Sequence, residues 1–179
     1  MRIEDTIYFS PLFKFKDIDW DNKDQLIEAF NDRVCGFYLT PAERLNSYKN
    51  GFAAGLLCVA TIDFLARIAI GRGRFKDWIE ENLKEFKGKR HLSNKFFDDF
   101  RNELVHEGRI KNCSQFTYDV SKIHFEDEII LINPEKFLND IKTSFQSYLI
   151  DLKGNDNKFE KFKELLKDDF KKEIELMQK

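Results

Sequence analysis

The sequence predicts a mainly α-helical bundle with a small β-hairpin insertion and a C-terminal amphipathic helix. Apolar residues recur at three- and four-residue spacing over most of the 179 residues. A hydrophobic content of 42%, with 35% charged residues and three Pro, is typical of a soluble and ordered protein. Strict alternation of apolar and polar residues then indicates strands within residues 115–132. This length fits one domain, and the last helix is expected over residues 158–178.

Local signals place the first helices. The opening 21 residues are expected to be irregular or partly extended, and a helix follows over residues 22–34. Thr40-Pro41-Ala42-Glu43 offers an N-cap Thr, a Pro at the first helical position and a Glu that can reach back to the cap. It predicts the start of a long central helix that runs to Ile70 and ends at the glycines that follow.

The second half of the chain carries similar signals. A short helix is expected over residues 75–86, and Ser93 can cap the next helix, which ends near Gly108. Asn133-Pro134 predicts another helix start, with a break at Gly154. The final charged helix carries an unbroken apolar stripe, which must pack either on this body or on a partner chain.

Charge and cysteine content limit the function classes. The net charge is −2, so any RNA contact must come from a local basic patch. The three Cys are far apart and include no C-x-x-C, which disfavours disulfides and a zinc site and favours a reducing cytoplasm. Acidic residues at the N-terminus do not suit a secretory signal. The apolar stretch over residues 52–70 contains Asp63 and Arg67, so we expect a core helix and no membrane association.

The stretch Arg101-Asn102-Glu103-Leu104-Val105-His106 places a permanent cation, an amide and an imidazole near the end of one helix. RNA contains its own nucleophile, the 2′-hydroxyl, so a nuclease need only move protons and stabilise charge on the phosphorane. An imidazole titrates near neutral pH, and a guanidinium pairs with two phosphate oxygens. The residues therefore suit RNA cleavage without a metal. Because the negative end of the helix dipole favours the imidazolium, we predict a raised pKa for His106.

This Arg-Asn-x-x-x-His motif, near the end of a bundle helix and preceded by a long helix with Asp63 in its apolar face, resembles the HEPN superfamily of ribonucleases and nucleotide-binding domains. The resemblance covers residues 42–152. It implies an up-and-down bundle of four or five helices, with catalytic Arg101 and His106, a polar Asn102 beside them, and Asp63 as a helical acid that contacts the motif. It also implies a homodimer in a toxin, phage-defence or stress setting, with an antitoxin or regulatory protein as a partner.

Helical geometry supports a dimer for a separate reason. At about 100° per residue, Arg101 and His106 lie roughly 140° apart around an ideal α-helix. One helix would therefore present them poorly to a single phosphate. A two-fold dimer relieves this, because each motif helix can contribute a different group to a shared cleft. Catalysis is then expected to require dimerisation.

A basic run precedes the motif. Such runs are usually solvated surface, but this one is also placed to follow an RNA backbone beside the cleft. The candidate RNA-binding residues are Lys87, Lys89, Arg90, Lys95, Arg72 and Arg74.

Simpler interpretations stand beside these. Arg101 can serve as a structural partner of Asp98 or Asp63, and Asp63 can form a helical ion pair with Arg67 instead of supporting the motif. Glu103 and His106 form a Glu-x-x-His, as in di-iron bundles, but the chain has no second copy. We therefore expect no metal and no cofactor. The alternatives to a ribonuclease are a non-catalytic module that binds RNA, a nucleotide or a partner protein, and a purely structural domain.

Overall fold

The computed structural model describes residues 2–3 and 6–177, apart from the side chains of Arg2, Val105, His106 and Met177. Within these residues the fold is mainly α-helical with a small β insertion, as the sequence predicts. The chain opens with two short antiparallel strands, β1 (Arg2–Ile3) and β2 (Thr6–Ile7), and a 3-10 turn at Phe15–Asp17.

The first helices differ from the sequence prediction at residue 40. Helix α1 (Lys23–Val34) continues through a π-helical turn (Cys35–Leu39) into α2 (Thr40–Ser47). Thr40 is therefore not a helix start: its side chain makes no capping hydrogen bond, and the residue before it is already helical. Pro41 lacks an N–H and crowds the carbonyl four residues earlier, and that carbonyl lies in the π-helical turn.

The long central helix begins later than predicted. Helix α3 (Gly51–Ala69) starts after Asn50, whose side chain accepts a hydrogen bond from the Ala53 N–H. Lys49, with φ of 57°, interrupts the helical backbone between α2 and α3. Gly71 and Gly73 end the helix as predicted, both with positive φ.

The motif helix is built in three parts. After α4 (Phe75–Asn82) and a 3-10 turn (Lys84–Phe86), it runs as α5 (Arg90–Phe96), a π-helical turn (Phe97–Asn102) and α6 (Glu103–His106). Ser93 is buried inside α5 and does not cap it, because the helix already begins at Arg90. Phe96, Phe100 and Leu104 are buried along one face of this helix.

The insertion and the last helices follow. Strands β3 (Gln115–Phe116), β4 (Ile123–Glu126) and β5 (Ile129–Ile132) form a sheet in the order β3-β5-β4, with β3 parallel and β4 antiparallel to β5. Asn133 caps α7 (Pro134–Gly154) as predicted. The final segment is broken into α8 (Asp156–Asp169) and α9 (Lys171–Met177).

Helix α3 forms the centre of the core. It packs against α2, α4, α7 and α8, and the aromatic side chains around it share one hydrophobic cluster. That cluster extends from Phe9 to Phe170, so the N-terminal segment and α8 share the core with residues 42–152. The apolar stripe of α8 therefore packs on this body. Its buried side chains are Phe159, Phe162 and Leu166.

In the part of the chain that the structure describes, α3 alone is long and apolar enough to cross a membrane by length and composition. More than half of its apolar stretch is buried inside the fold. This is the environment of a core helix and is consistent with a soluble protein.

The sheet packs on α3 at a glycine, and this contact gives a stability test. A Cβ at Gly55 would overlap the ring of Phe116 in β3. Although Gly→Ala inside a helix normally stabilises by about 1 kcal/mol, overpacking costs about 1 to 3 kcal/mol. We expect Gly55→Ala to lower the free energy of unfolding, measured by urea denaturation.

Gly154→Ala is the matched control. Gly154 ends α7 and a Cβ there would meet nothing within 4 Å, so this variant should be at least as stable as the parent protein. Equal stability of the two variants would contradict the packing of Phe116 on α3.

Candidate functional site

Asp63 and Arg67 occupy the solvent-facing side of α3, one turn apart. Their neighbours Phe64, Leu65 and Ile68 are buried, which leaves only this side for charged groups. The simple expectation that Asp63 and Arg67 pair with each other is wrong. Asp63 instead accepts a hydrogen bond from Arg101 Nε at 3.2 Å, and Arg67 pairs with Asp169 at 3.5 Å.

Arg101 is held from two sides in the π-helical turn. Besides Asp63, it donates from Nη1 to Asn102 Oδ1 at 3.3 Å. The side chains of Arg101 and Asp63 are 28% and 31% exposed, so the pair is reachable from solvent. Between the two acids considered from the sequence, Asp98 and Asp63, the structure places Arg101 against Asp63. The helical acid therefore contacts the motif.

The side chain of Arg101 lines a cleft of about 490 Å³ between α3, α4 and the motif helix. We call this the arginine cleft. Cations predominate among its charged lining groups, and the rings of Phe75 and Phe97 complete the wall. The charged lining residues are Arg67, Arg72, Lys76, Arg90 and Arg101, with Asp63 as the one acid.

Acids at the edge of the cleft partly neutralise these cations. Arg72 pairs with Asp168 at 3.5 Å, and Arg90 pairs with Asp77 and Glu80 at 2.5 and 3.0 Å. Hydrogen bonds from Arg74 and Arg90 hold the pKa of Asp77 below its ordinary value. Exposed pairs of this kind contribute about 0 to 1 kcal/mol each. An incoming phosphate can therefore exchange with these carboxylates at little cost.

The predicted RNA-binding residues divide into two groups. Arg72 and Arg90 line the arginine cleft. Arg74 lies beside it and shares Asp77 with Arg90. The three lysines do not line the cleft. Lys95 pairs with buried Asp99 at 2.8 Å, and Lys89 lies 5.9 Å from the centre of the Phe125 ring. Lys87 is exposed after the 3-10 turn.

The side chain of His106 lies outside the part of the chain that the structure describes, so its raised pKa stays a prediction. Its backbone forms the end of α6, and Gly108 follows with φ of 67°. The π-helical turn includes Arg101 and Asn102. The angle of an ideal α-helix therefore does not apply between Arg101 and His106, since a π turn holds more residues. Turns of this kind are frequent at functional sites.

Asp99 is a structural residue that the sequence reasoning missed. It is buried in the π-helical turn and accepts hydrogen bonds from Asn112 Nδ2 at 2.6 Å and Ser114 Oγ at 2.8 Å. The Lys111 N–H also donates to its carbonyl oxygen at 3.2 Å. These bonds tie the loop that follows α6 back to the motif helix, and so fix where that helix ends.

Phe97 and Lys76 were also missed as members of the site. The four-residue spacing of Phe97 and Arg101 is a signal that they share a helix face. Lys76 belongs to α4, and nothing in the sequence links it to the motif. Among the described side chains, no group of three or more His, Cys, Asp or Glu residues is placed to hold a metal ion.

Comparisons with protein-family models, with curated proteins and with solved structures find no match for this chain. The chemistry of the arginine cleft must therefore be read from its own side chains. Guanidinium groups pair with phosphate through two parallel hydrogen bonds and remain charged at any physiological pH. Several of them around one accessible cleft form a site suited to a chain of phosphodiester groups.

Proposed function

We propose that this protein is a metal-independent endoribonuclease that binds the RNA backbone in the arginine cleft. The observation that carries the proposal is the position of Arg101, which Asp63 holds at a solvent-reachable site among four other cations. The whole chain has a net charge of −2, so the attraction for RNA must come from this local group of cations, which neighbouring carboxylates partly neutralise. Local positive charge is what draws in a nucleic acid backbone.

The proposed reaction uses groups of the RNA itself. The 2′-oxygen attacks the neighbouring phosphorus, the bond to the 5′-oxygen breaks, and a 2′,3′-cyclic phosphate and a 5′-hydroxyl are formed. The 2′-hydroxyl proton must be accepted and the leaving oxygen protonated, and His106 suits this work. Arg101 stabilises the negative charge of the phosphorane.

A non-catalytic module that binds RNA or a nucleotide is the second candidate. One observation favours it: Asp63 and Asn102 already accept hydrogen bonds from Arg101, which suits an arginine that shapes the cleft and takes no part in catalysis. Such a module would hold RNA in the arginine cleft without cutting it.

Cleavage assays separate the two candidates. We expect the purified protein to cleave single-stranded RNA in the presence of EDTA and to leave 2′,3′-cyclic phosphate ends. Arg101→Ala and His106→Ala should each reduce the rate by at least about a hundredfold, the size of one lost electrostatic or proton-transfer contribution. Denaturing gels and end-group analysis measure both effects.

Arg109→Ala is the control for loss of positive charge. Arg109 is exposed, pairs with Glu107 at 2.7 Å and lies outside the arginine cleft, so this variant should cleave at the parental rate. Wild-type rates in Arg101→Ala and His106→Ala would overturn the nuclease assignment. RNA binding without cleavage would support the non-catalytic module.

We also propose that the active form is a homodimer joined along α3. Phe52 is 47% exposed, and Leu56 and Ala60 on the same side of the helix are only partly buried. This apolar stripe leads directly to Asp63 and Arg67 at the arginine cleft. A second copy seated on the stripe would bury it and bring a second motif helix close to the first cleft.

A charge on the stripe tests the dimer. Phe52→Asp should shift the protein from dimer to monomer in sedimentation experiments and reduce cleavage in parallel, because a carboxylate cannot be buried there without a partner. Ile150→Asp is the control, since Ile150 is 70% exposed on α7 and outside the stripe. A parent protein that is monomeric at working concentrations, or a dimer unaffected by Phe52→Asp, would contradict this interface.

We propose the cellular setting from the resemblance of the Arg-Asn-x-x-x-His motif alone. A cytoplasmic ribonuclease of toxin, phage-defence or stress systems would need a regulatory protein or antitoxin to restrain it. The free thiols of Cys35, Cys58 and Cys113 fit a reducing compartment.

A further inference from the structure

We propose that Phe97 is a stacking platform for one nucleobase, so that the arginine cleft takes single-stranded RNA and not a duplex. This inference rests on the proposed function of the cleft. Phe97 lines the cleft, is partly exposed and lies one helical turn before Arg101. An aromatic face beside guanidinium groups is the pairing that proteins use for single strands: cations follow the phosphates and rings stack the bases.

The ring of Phe97 is supported from behind. It packs against Phe75 in an edge-to-face arrangement, with ring centres 5.6 Å apart and planes at 63°. Phe75 is itself buried and stacks on Phe96 at 6.0 Å with planes at 8°. Phe97 is thereby fixed to the core, and stacking a base on it would cost little side-chain entropy.

Two cations lie close to the ring of Phe97. The guanidinium carbon of Arg101 is 5.5 Å from the ring centre, and the Lys76 ammonium is 4.6 Å from it. Arg101 is fixed by Asp63, whereas Lys76 has no ion pair among the described side chains and sits on a flexible stem. A base can therefore replace Lys76 over the ring while Arg101 keeps the adjacent phosphate.

This arrangement has consequences for specificity. Every base has a π face, so stacking on Phe97 accepts any sequence. A base inside a duplex is already covered by its neighbours, so it cannot stack on Phe97 unless the strand opens. Phe97 therefore selects for unpaired RNA, with little preference among the four bases.

Binding measurements with non-cleavable RNA test the platform. The probes are fluorescent 2′-O-methyl single strands with normal bases, and the same strands with abasic positions. Phe97→Leu should weaken binding of the normal strand roughly tenfold or more, the usual effect of losing one stacked base. It should leave the abasic strand unaffected, because the phosphate contacts remain.

A second variant covers the possibility that Phe97→Leu does not fold. In Phe97→Trp the normal strand should quench the added indole fluorescence relative to the parent protein, and the abasic strand should not. Equal quenching by both strands, or equal binding by Phe97→Leu and the parent protein, would overturn the stacking role.

The controls separate this inference from the proposed function. If the parent protein binds neither strand, the RNA-binding cleft itself is wrong. If it binds both strands and Phe97→Leu changes neither affinity, the cleft stands and only the platform fails. An excess of mononucleotide tests whether the cleft prefers a strand to a single nucleotide. If the mononucleotide displaces the fluorescent strand as well as an unlabelled strand does, the site binds nucleotides and selection for an RNA strand is overturned.

Discussion

The ion pair between Arg101 and Asp63 is the interaction on which the site depends. It links the motif helix to the central helix α3 and fixes a guanidinium at the mouth of the arginine cleft. Both side chains are partly exposed, so the pair contributes little to stability. Its effect is positional: without Asp63, the long side chain of Arg101 would be free to sample other rotamers. A catalytic or binding arginine needs this kind of support.

The arginine cleft also depends on parts of the chain outside residues 42–152. Asp168 and Asp169, at the end of α8, pair with Arg72 and Arg67. The end of α8 is anchored by Phe170, whose ring lies 4.6 Å from the guanidinium carbon of Arg33. Burial lowers the pKa of Arg33, and the aromatic rings around it compensate for part of the lost hydration. Packing at the C-terminal segment is thereby connected to the electrostatics of the cleft.

The sequence predicts the elements whose signals are local. Asn133-Pro134 does start α7, Gly71 and Gly73 do end α3, and the alternating segment does form the sheet. The predictions at Thr40 and Ser93 fail because both residues lie inside helices that already began earlier. The π-helical turns were not predicted, since they change one turn of hydrogen bonding and leave the apolar spacing intact. The Asn50-Gly51 pair, a common turn signal, was the missed sign of the break before α3.

For the site, Arg101 and Asn102 were identified from their chemistry near a helix end, and Asp63 as the acid that contacts the motif was implied by the family resemblance. The partners Asp168 and Asp169 were not, since about a hundred residues separate them from the cations they meet. The same is true of Lys76, which reaches Phe97 only through the packing of α4 against the motif helix. Tertiary contacts of this kind leave no trace in local spacing.

The most direct test of the central claim is to observe the arginine Nε–Hε signals by NMR while a non-cleavable single-stranded RNA is added. The account predicts that the signal of Arg101 shifts together with those of Arg67, Arg72 and Arg90, and that exposed Arg44 and Arg109 outside the cleft do not respond. RNA binding that leaves the Arg101 signal unchanged, or shifts only the arginines outside the cleft, would contradict it.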